Sequence, residues 1–515
     1  MKKLLLLLLI ANTVNSQTFQ WIQPSTITIS TNPEMVAFPN TVDASGNVYM
    51  AGFQDFAFPY GSDTFGNLMF NKYSPDGTLL FSKTFTGKGS IGSIVSDSQG
   101  NIIIAASYVT TLTIGTTVVT DPVQEVKPLV VKFDSQGNLL WYWEPGTVGQ
   151  NIGYARGLAV DASDNIYVGY DSFMNCYISK LAPDGTVGQT IVQTQVSLLS
   201  SVSVDNEGNI YAAGSCAETN ANYNGTTVLP PFSYSTWLVK YNASGVYQWV
   251  KYVEDITCSK PKVKAVTPDQ VYFASHLYGA FAFGDITAEG PISGMFNDFY
   301  LAKLNASGTY QWVREVPGTG AVVLGYREYL AADAGGNAYV AGTINGPANF
   351  GNGITCTSQP IGTDGFVIKY SPDGLPLMAY NIGGIAQDRI DGVTADANGV
   401  YISGLVRGSA TFGALSIIID SNIPYVYTAK ISNAVLGVNN PEYTIGVYPN
   451  PVSDFLYLNT PSGNIKGGIY NTLGQKVTSF EVSTGEPVNV SALANGVYLI
   501  KAEDTGAVKR FIVKR

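Results

Sequence analysis

The sequence predicts an all-β chain: one long array of four-stranded units, followed by a small β unit of different pattern. Two recurring phrases and a change of rhythm near residue 443 carry that prediction. Composition agrees with it. The 515 residues include 55 Gly and 32 Tyr, and only 13% are charged, which suits turn-rich β structure. No sustained helical periodicity runs through the chain.

The first phrase joins two apolar strands by a turn. It appears as Asp43-Ala-Ser-Gly46-Asn47-Val-Tyr49 and as Asp97-Ser-Gln-Gly100-Asn101. It returns at Asp161 to Tyr167, Asp205 to Tyr211, Asp333 to Tyr339 and, one residue shorter, Asp396 to Tyr401. A degenerate copy lies at Thr267 to Tyr272. Asp bonds backbone N–H groups two residues on, while Gly and Asn accept positive φ, so the phrase encodes a tight hairpin.

The second phrase is apolar-x-Lys-apolar. Its lysines are Lys72, Lys132, Lys180, Lys240, Lys303, Lys369 and Lys430. Most copies then turn at a Gly, as in Ser74-Pro-Asp-Gly77, into a strand bearing Phe81, Trp141, Trp249 or Trp312. Each unit therefore holds four strands, here A to D, and there are seven units. Successive Tyr49-like positions lie 44 to 67 residues apart. Repetition on this scale predicts a seven-bladed β-propeller, in which radial packing leaves only short edges. The seventh unit lacks an aromatic strand D, while Phe19-Gln20-Trp21-Ile22 matches Tyr310-Gln311-Trp312-Val313 and has no unit of its own. The N-terminal strand is expected to complete the last blade and close the ring; an open solenoid would leave two exposed edges.

These phrases, with Phe65-Gly66, Phe283-Gly284, Phe350-Gly351 and Phe412-Gly413, resemble the bacterial β-propeller repeats called SBBP over about residues 18–436. That resemblance implies a fold and says little about activity.

A different pattern starts after a polar linker at 437–442. Tyr448-Pro449-Asn450-Pro451 opens it, and Gly468-Ile-Tyr470-Asn-Thr-Leu-Gly474-Gln-Lys476 follows. Leu493-Ala-Asn495-Gly496-Val-Tyr498-Leu499 and Lys509 to Lys514-Arg515 complete it. Short strands with Gly turns predict a small C-terminal β-sandwich over 443–515. The motifs, in this order, are similar to the type A C-terminal sorting domain of type IX secretion. The resemblance implies recognition by the type IX machinery through residues such as Pro449, Asn450, Pro451, Gly474, Gly496, Tyr498, Lys514 and Arg515. It also implies passage across the outer membrane and an address at the outer cell surface or in the medium.

The expected organisation is thus a signal peptide at 1–16, the propeller at 17–436, the linker and the sorting tail. Lys2 and Lys3, the short apolar run Leu4 to Ile10, and small residues before Gln17 form the secretory signal. No later apolar stretch is long enough to span a bilayer as a helix, so no transmembrane segment is expected.

The chain carries 28 Lys and Arg against 38 Asp and Glu. Without the signal and tail the balance is −14, while the tail is +2. Such a body repels nucleic acid and anionic membranes, and neither is expected as a partner. Cys176, Cys216, Cys258 and Cys356 have no zinc-like spacing. A Cys216–Cys258 bridge and free buried thiols both remain open.

Little here announces chemistry. The single histidine, His276, lacks visible triad or metal partners, and a structural role is the expectation. The recurring Lys and turn Asp have two readings: a ring holding Ca²⁺, or repeated Lys–Asp pairs and turn bonds. The second is preferred, and no resident cofactor or metal is expected. The A–B and C–D turns share one face and are short. The B–C and D–A connections share the other and are long, for example 54–68, 107–127 and 215–236. Any function is expected on that variable face. Its aromatics Phe58, Tyr60, Tyr223, Phe232, Tyr234 and Tyr278 are the candidate ligand-binding residues, suited to stacking on sugars. The expected role is a non-catalytic binding or adhesion protein for a glycan or surface protein. An enzyme using paired carboxylates on polysaccharide or peptide, and a purely structural surface protein, are the alternatives. No catalytic residue is assigned.

Overall fold

The computed structural model describes residues 19–28, 37–60, 63–123, 125–146, 153–172, 174–291, 298–316, 322–418, 424–432, 446–459, 464–471, 475–483, 485–502 and 508–515. The expected signal peptide at 1–16, the linker at 437–442 and Gly474 lie outside these. The chain divides into two compact units, one spanning Gln17–Ala434 and one taking in Val435–Arg515. No described helix is long and apolar enough to cross a membrane.

Among the described residues of the larger unit the strand pairings group into seven antiparallel four-stranded units. Unit 1 starts with strand A at Asn40–Val42, B at Val48–Tyr60 and C at Asp63–Tyr73. The long strand Leu79–Ser96 then serves twice, as strand D of unit 1 and strand A of unit 2. Val187–Val204 does the same for units 3 and 4. The innermost strands touch their neighbours from unit 1 round to unit 7 and back to unit 1. This arrangement is a closed propeller.

The seam closes as the terminal match predicts. Phe19–Thr28 pairs antiparallel with strand C of unit 7, Pro424–Ser432, placing Phe19 opposite Ile431 and Trp21 opposite Lys430. Strands B and C lie between neighbouring blades, so both faces are buried. They read as continuous apolar runs, such as Ile102 to Ala106 and Leu129 to Val131. Strand D lies at the rim, and its start alternates between exposed and half-buried residues.

The two phrases have distinct structural tasks. Asp43 accepts from the N–H groups of Ser45 and Asn47, both at 2.9 Å, and from the Tyr49 hydroxyl at 3.2 Å. Asp161, Asp205 and Asp333 repeat the Asn and Tyr contacts. The turn carboxylates are thus occupied by their own hairpins. Lys–Asp pairs form at Lys132–Asp97 (2.9 Å), Lys180–Asp161 (3.7 Å) and Lys369–Asp333 (3.9 Å).

The lysines also latch one blade to the next. Lys240 Nζ and Trp249 Nε1 both donate to the Ala306 carbonyl in the following unit's C–D turn, at 3.2 and 3.0 Å. Lys303 and Trp312 converge on the Pro372 carbonyl, and Lys132 and Trp141 on that of Pro183. Trp21 makes the same bond to Pro75 across the seam. Each tryptophan ring also lies on the turn glycine it faces. A Cβ on Gly308 would sit 2.9 Å from the Trp249 ring, and one on Gly374 would sit 2.8 Å from Trp312. Both glycines have φ of +76°, so the turn requires Gly on two counts.

The long connections are not irregular loops. Most are β-hairpins, such as Ala280–Phe283 with Ile286–Glu289, and Ala410–Phe412 with Leu415–Ile417. Phe283 and Phe412 are buried within them, beside a positive-φ glycine at 284 and 413.

The smaller unit has two sheets around one core. One comprises Gly446–Tyr448, Phe455–Asn459 and Val488–Asn489. The other runs in the order Lys476–Ser483, Asn464–Tyr470, Gly496–Ala502, Val508–Val513. Leu456, Ile469, Ile500 and Phe511 fill the space between them.

Replacing Trp312 tests the latch. Trp312→Phe keeps most apolar contact but loses the bond to Pro372, at about 1 kcal/mol. Trp312→Ala also opens the blade interface, at about 3 kcal/mol. Thermal unfolding should show that order of damage; equal melting temperatures for both variants and the parent would remove the latch.

Candidate functional site

On the face of the B–C and D–A connections, a cavity of about 550 Å³ opens where the units meet. Its wall includes Asp63, Lys260, His276, Tyr326, Arg327 and Tyr329. They arrive from separate units. Asp63 begins strand C of unit 1. Lys260 precedes strand A of unit 5, and His276 lies in that unit's strand B. The rest come from unit 6, whose strand A is broken between Val322–Leu324 and Leu330–Ala332.

The break lets Tyr326-Arg327-Glu328-Tyr329 reach the centre. Glu328 accepts from Ser93 of unit 2 at 2.8 Å and pairs with Lys262 of unit 5 at 3.5 Å. Tyr329 donates its hydroxyl to the Lys260 carbonyl at 2.8 Å. Tyr326 is half exposed, with the Arg389 guanidinium 4.8 Å from its ring centroid. Arg327 holds both Asp63 oxygens through Nη2. From unit 3, Arg156 lies 4.0 Å from Asp63 and 3.2 Å from Asp171.

Burial pushes the Asp63 carboxyl up, but Arg327 and Arg156 outweigh it and hold the group below its ordinary value. Burial, then the same two cations, pushes Lys260 down to about 8. Burial lowers His276 to about 4, so its imidazole is neutral at pH 7. Beside the cavity, Cys258 is joined by a disulfide to Cys216, settling the pairing that spacing left open. The bridge spans 42 residues, and chain entropy alone would make it worth about 4 kcal/mol. Cys176 and Cys356 are buried thiols.

None of the six candidate aromatics lines this cavity. Tyr223 is corrected outright. It is fully buried, packs edge-on to Trp237 and shares a 2.9 Å hydrogen bond with Tyr252, because its strand folds back as a hairpin over unit 4. Phe232 and Tyr278 are half-buried, and Tyr234 is exposed. The backbone of Phe58 and Tyr60 pairs with Phe65 and Asp63, and their side chains lie outside the described ones. What spacing missed is the Tyr326–Tyr329 segment. Its signal was a dense charged and aromatic run interrupting an otherwise apolar strand A.

In the C-terminal unit the opening motif lies against the last residues of the chain, while Tyr498 bonds locally. The Asn450 Oδ1 accepts from the Ile512 N–H at 2.9 Å. Val452 bridges Val513 in parallel, and the Lys514 N–H donates to the Val452 carbonyl at 2.9 Å. Arg515 donates to the Asn495 side chain and the Val490 carbonyl, and pairs with Asp454 at 3.6 Å. Tyr498 donates to the Ala494 carbonyl at 3.0 Å. The opening motif and the last residues are thus one edge, to which Asn495 and Asp454 also belong.

Residues 446–514 match the family described as the secretion system C-terminal sorting domain. The C-terminal unit is a sorting domain. Its presence marks the chain for type IX export, to the cell surface or the medium. The sorting domain covers only that end. An uncharacterized WD repeat-containing protein of Acanthamoeba polyphaga mimivirus is 22% identical over 425 residues, covering 62% of this chain. The chain spans 30% of that relative's length. Among solved structures, the Dos1 propeller is 9% identical, with 80% of this chain and 95% of that one covered, at a TM-score of 0.40. A protein of unknown function from Bacteroides caccae is 9% identical, covering 61% and 89%, at 0.35.

Two outcomes follow for the two sites. Asp63→Asn leaves Arg327 and Arg156 as buried cations without their shared partner, and should cost about 3–5 kcal/mol, read as a large fall in melting temperature. Because the folded Asp63 value is lowered, its contribution is present above about pH 4 and is lost as pH falls through that lowered value. In the sorting domain, Arg515→Ala should reduce the exported fraction, measured by blotting cells against medium and surface; unchanged export would remove Arg515 from the signal.

Proposed function

We propose that the exported ring is a non-catalytic binding module whose ligand site is the cavity on its long-connection face. One observation carries this reading: a cavity of about 550 Å³ walled by side chains from several units, with a half-exposed Tyr326 and cationic groups at its surface. Concave sites of that size with a few convergent polar groups suit a small ligand or the end of a glycan. Asp63, in the cavity wall, is held by Arg327 and Arg156, and Asp171 is held by Arg156. Asp63, held below its ordinary value by two arginines, does not suit the proton-donating role in a hydrolytic pair. The sorting domain supplies the address at which such a binder meets extracellular glycans or surface proteins.

A glycan array and a cell-surface binding assay with the exported protein test the proposal. Retained binding that Tyr326→Ala abolishes is the expected result. Sustained release of product from a polysaccharide by the purified protein would replace this reading with an enzymatic one.

A further inference from the structure

The cavity has a charge character at odds with its surroundings. The body around it is strongly acidic, yet Lys260, Arg327 and Arg156 gather here against Asp63 and Asp171. Two of the cations have donors to spare. Among the described residues, the Lys260 ammonium meets no ion-pair or hydrogen-bond acceptor, and Arg327 spends only Nη2 on Asp63, leaving Nε and Nη1 without an acceptor. Both residues line the cavity. A desolvated cation costs stability unless something pairs it. The ring retains one such cation, Lys260, on the same cavity wall as the partly used Arg327 and a half-exposed aromatic ring.

We propose that the cavity takes a carboxylate-bearing sugar, with its carboxylate on Lys260 and the open edge of Arg327 and its ring against Tyr326. The inference rests on the binding reading above and names the class of ligand. A guanidinium edge and an ammonium match the two oxygens of a carboxylate, and the tyrosine face matches the C–H face of a pyranose. A compact cavity suits one or two sugar rings better than an extended acidic peptide, which needs a groove or a free strand edge.

The site should also respond to pH. Lys260 is faced by Arg327 and Arg156, by Asp63 and Asp171, and by neutral His276 on the same wall. It is charged at pH 7 and loses its proton through about pH 8. Anion binding should therefore weaken as pH rises past 8. In the empty protein the sign is opposite: a folded value below the ordinary 10.5 means that stability rises between about pH 8 and 10.5.

Calorimetry on the full exported chain, with trigalacturonate and its methyl ester as probes, tests the proposal. The acid should bind at pH 7 and the ester at least tenfold more weakly. Lys260→Met should weaken the acid at least tenfold without changing the ester, and should raise the melting temperature of the empty protein. Lys260→Arg should restore affinity and abolish the loss between pH 7 and 9.5, because Arg stays charged. Equal binding of acid and ester, no binding of the acid, or an unaffected Lys260→Met variant each overturns the inference. So does tighter binding of an oligoglutamate peptide than of the uronate. A neutral glycan lost on Tyr326→Ala would overturn this inference while leaving the binding reading intact. Turnover of polysaccharide would end both.

Discussion

The ring depends on a carbonyl shared between neighbouring blades. At three junctions a lysine from strand C and a tryptophan from strand D of one unit donate to the same backbone oxygen in the next unit's turn. The oxygen lies outside the strand ladders, at a position where a turn would otherwise leave it to water. Two donors from the preceding unit fix both the distance and the angle between blades. The ring on the turn glycine then excludes solvent from the contact. Because the latch always points from one unit to the next, it sets a direction around the ring, and Trp21 continues it across the seam.

That latch explains the recurring rhythm within this chain. The turn glycine, the lysine and the aromatic recur together because they touch each other between units, not within one. Tyr and Lys of the same unit are stacked as well, with Lys72, Lys240 and Lys430 lying 5.1 to 5.5 Å from the centroids of Tyr49, Tyr211 and Tyr401. Lys72 and Lys240 are also bonded to a carbonyl, and a cation held in this way is well solvated by protein. The lysine series is therefore a structural device, and the charge ring with calcium gains no support from its geometry.

The architecture was legible because it is periodic. Strand boundaries, turn chemistry and the displaced strand D could be read by comparing each unit with the others. The sorting tail was legible from ordered motifs, and the structure brings Asn450, Val452 and Arg515 to one edge. The cavity was not legible, because it is made where the repeat fails. Tyr326 to Tyr329 interrupts strand A of unit 6, and Asp63, Arg156 and Lys260 come from three further units that radial packing brings together. Tyr223 misled for a related reason. Composition shows that Tyr223 lies in a long connection but cannot show that the connection pairs with itself and buries the ring.

The strand Phe19–Thr28 has a kinetic consequence. Its partner is strand C of unit 7, so the first described strand of the ring finds its place only when nearly the last has emerged. Contacts this distant in sequence form slowly, since a long loop must close before they repay it. Until then strand C of unit 7 presents an unpaired edge, the kind of surface that recruits a neighbouring chain. A chain made amino end first thus carries its own clasp exposed throughout synthesis. The interval before closure is when it is most open to binding by a chaperone and most prone to swap that strand with a second copy.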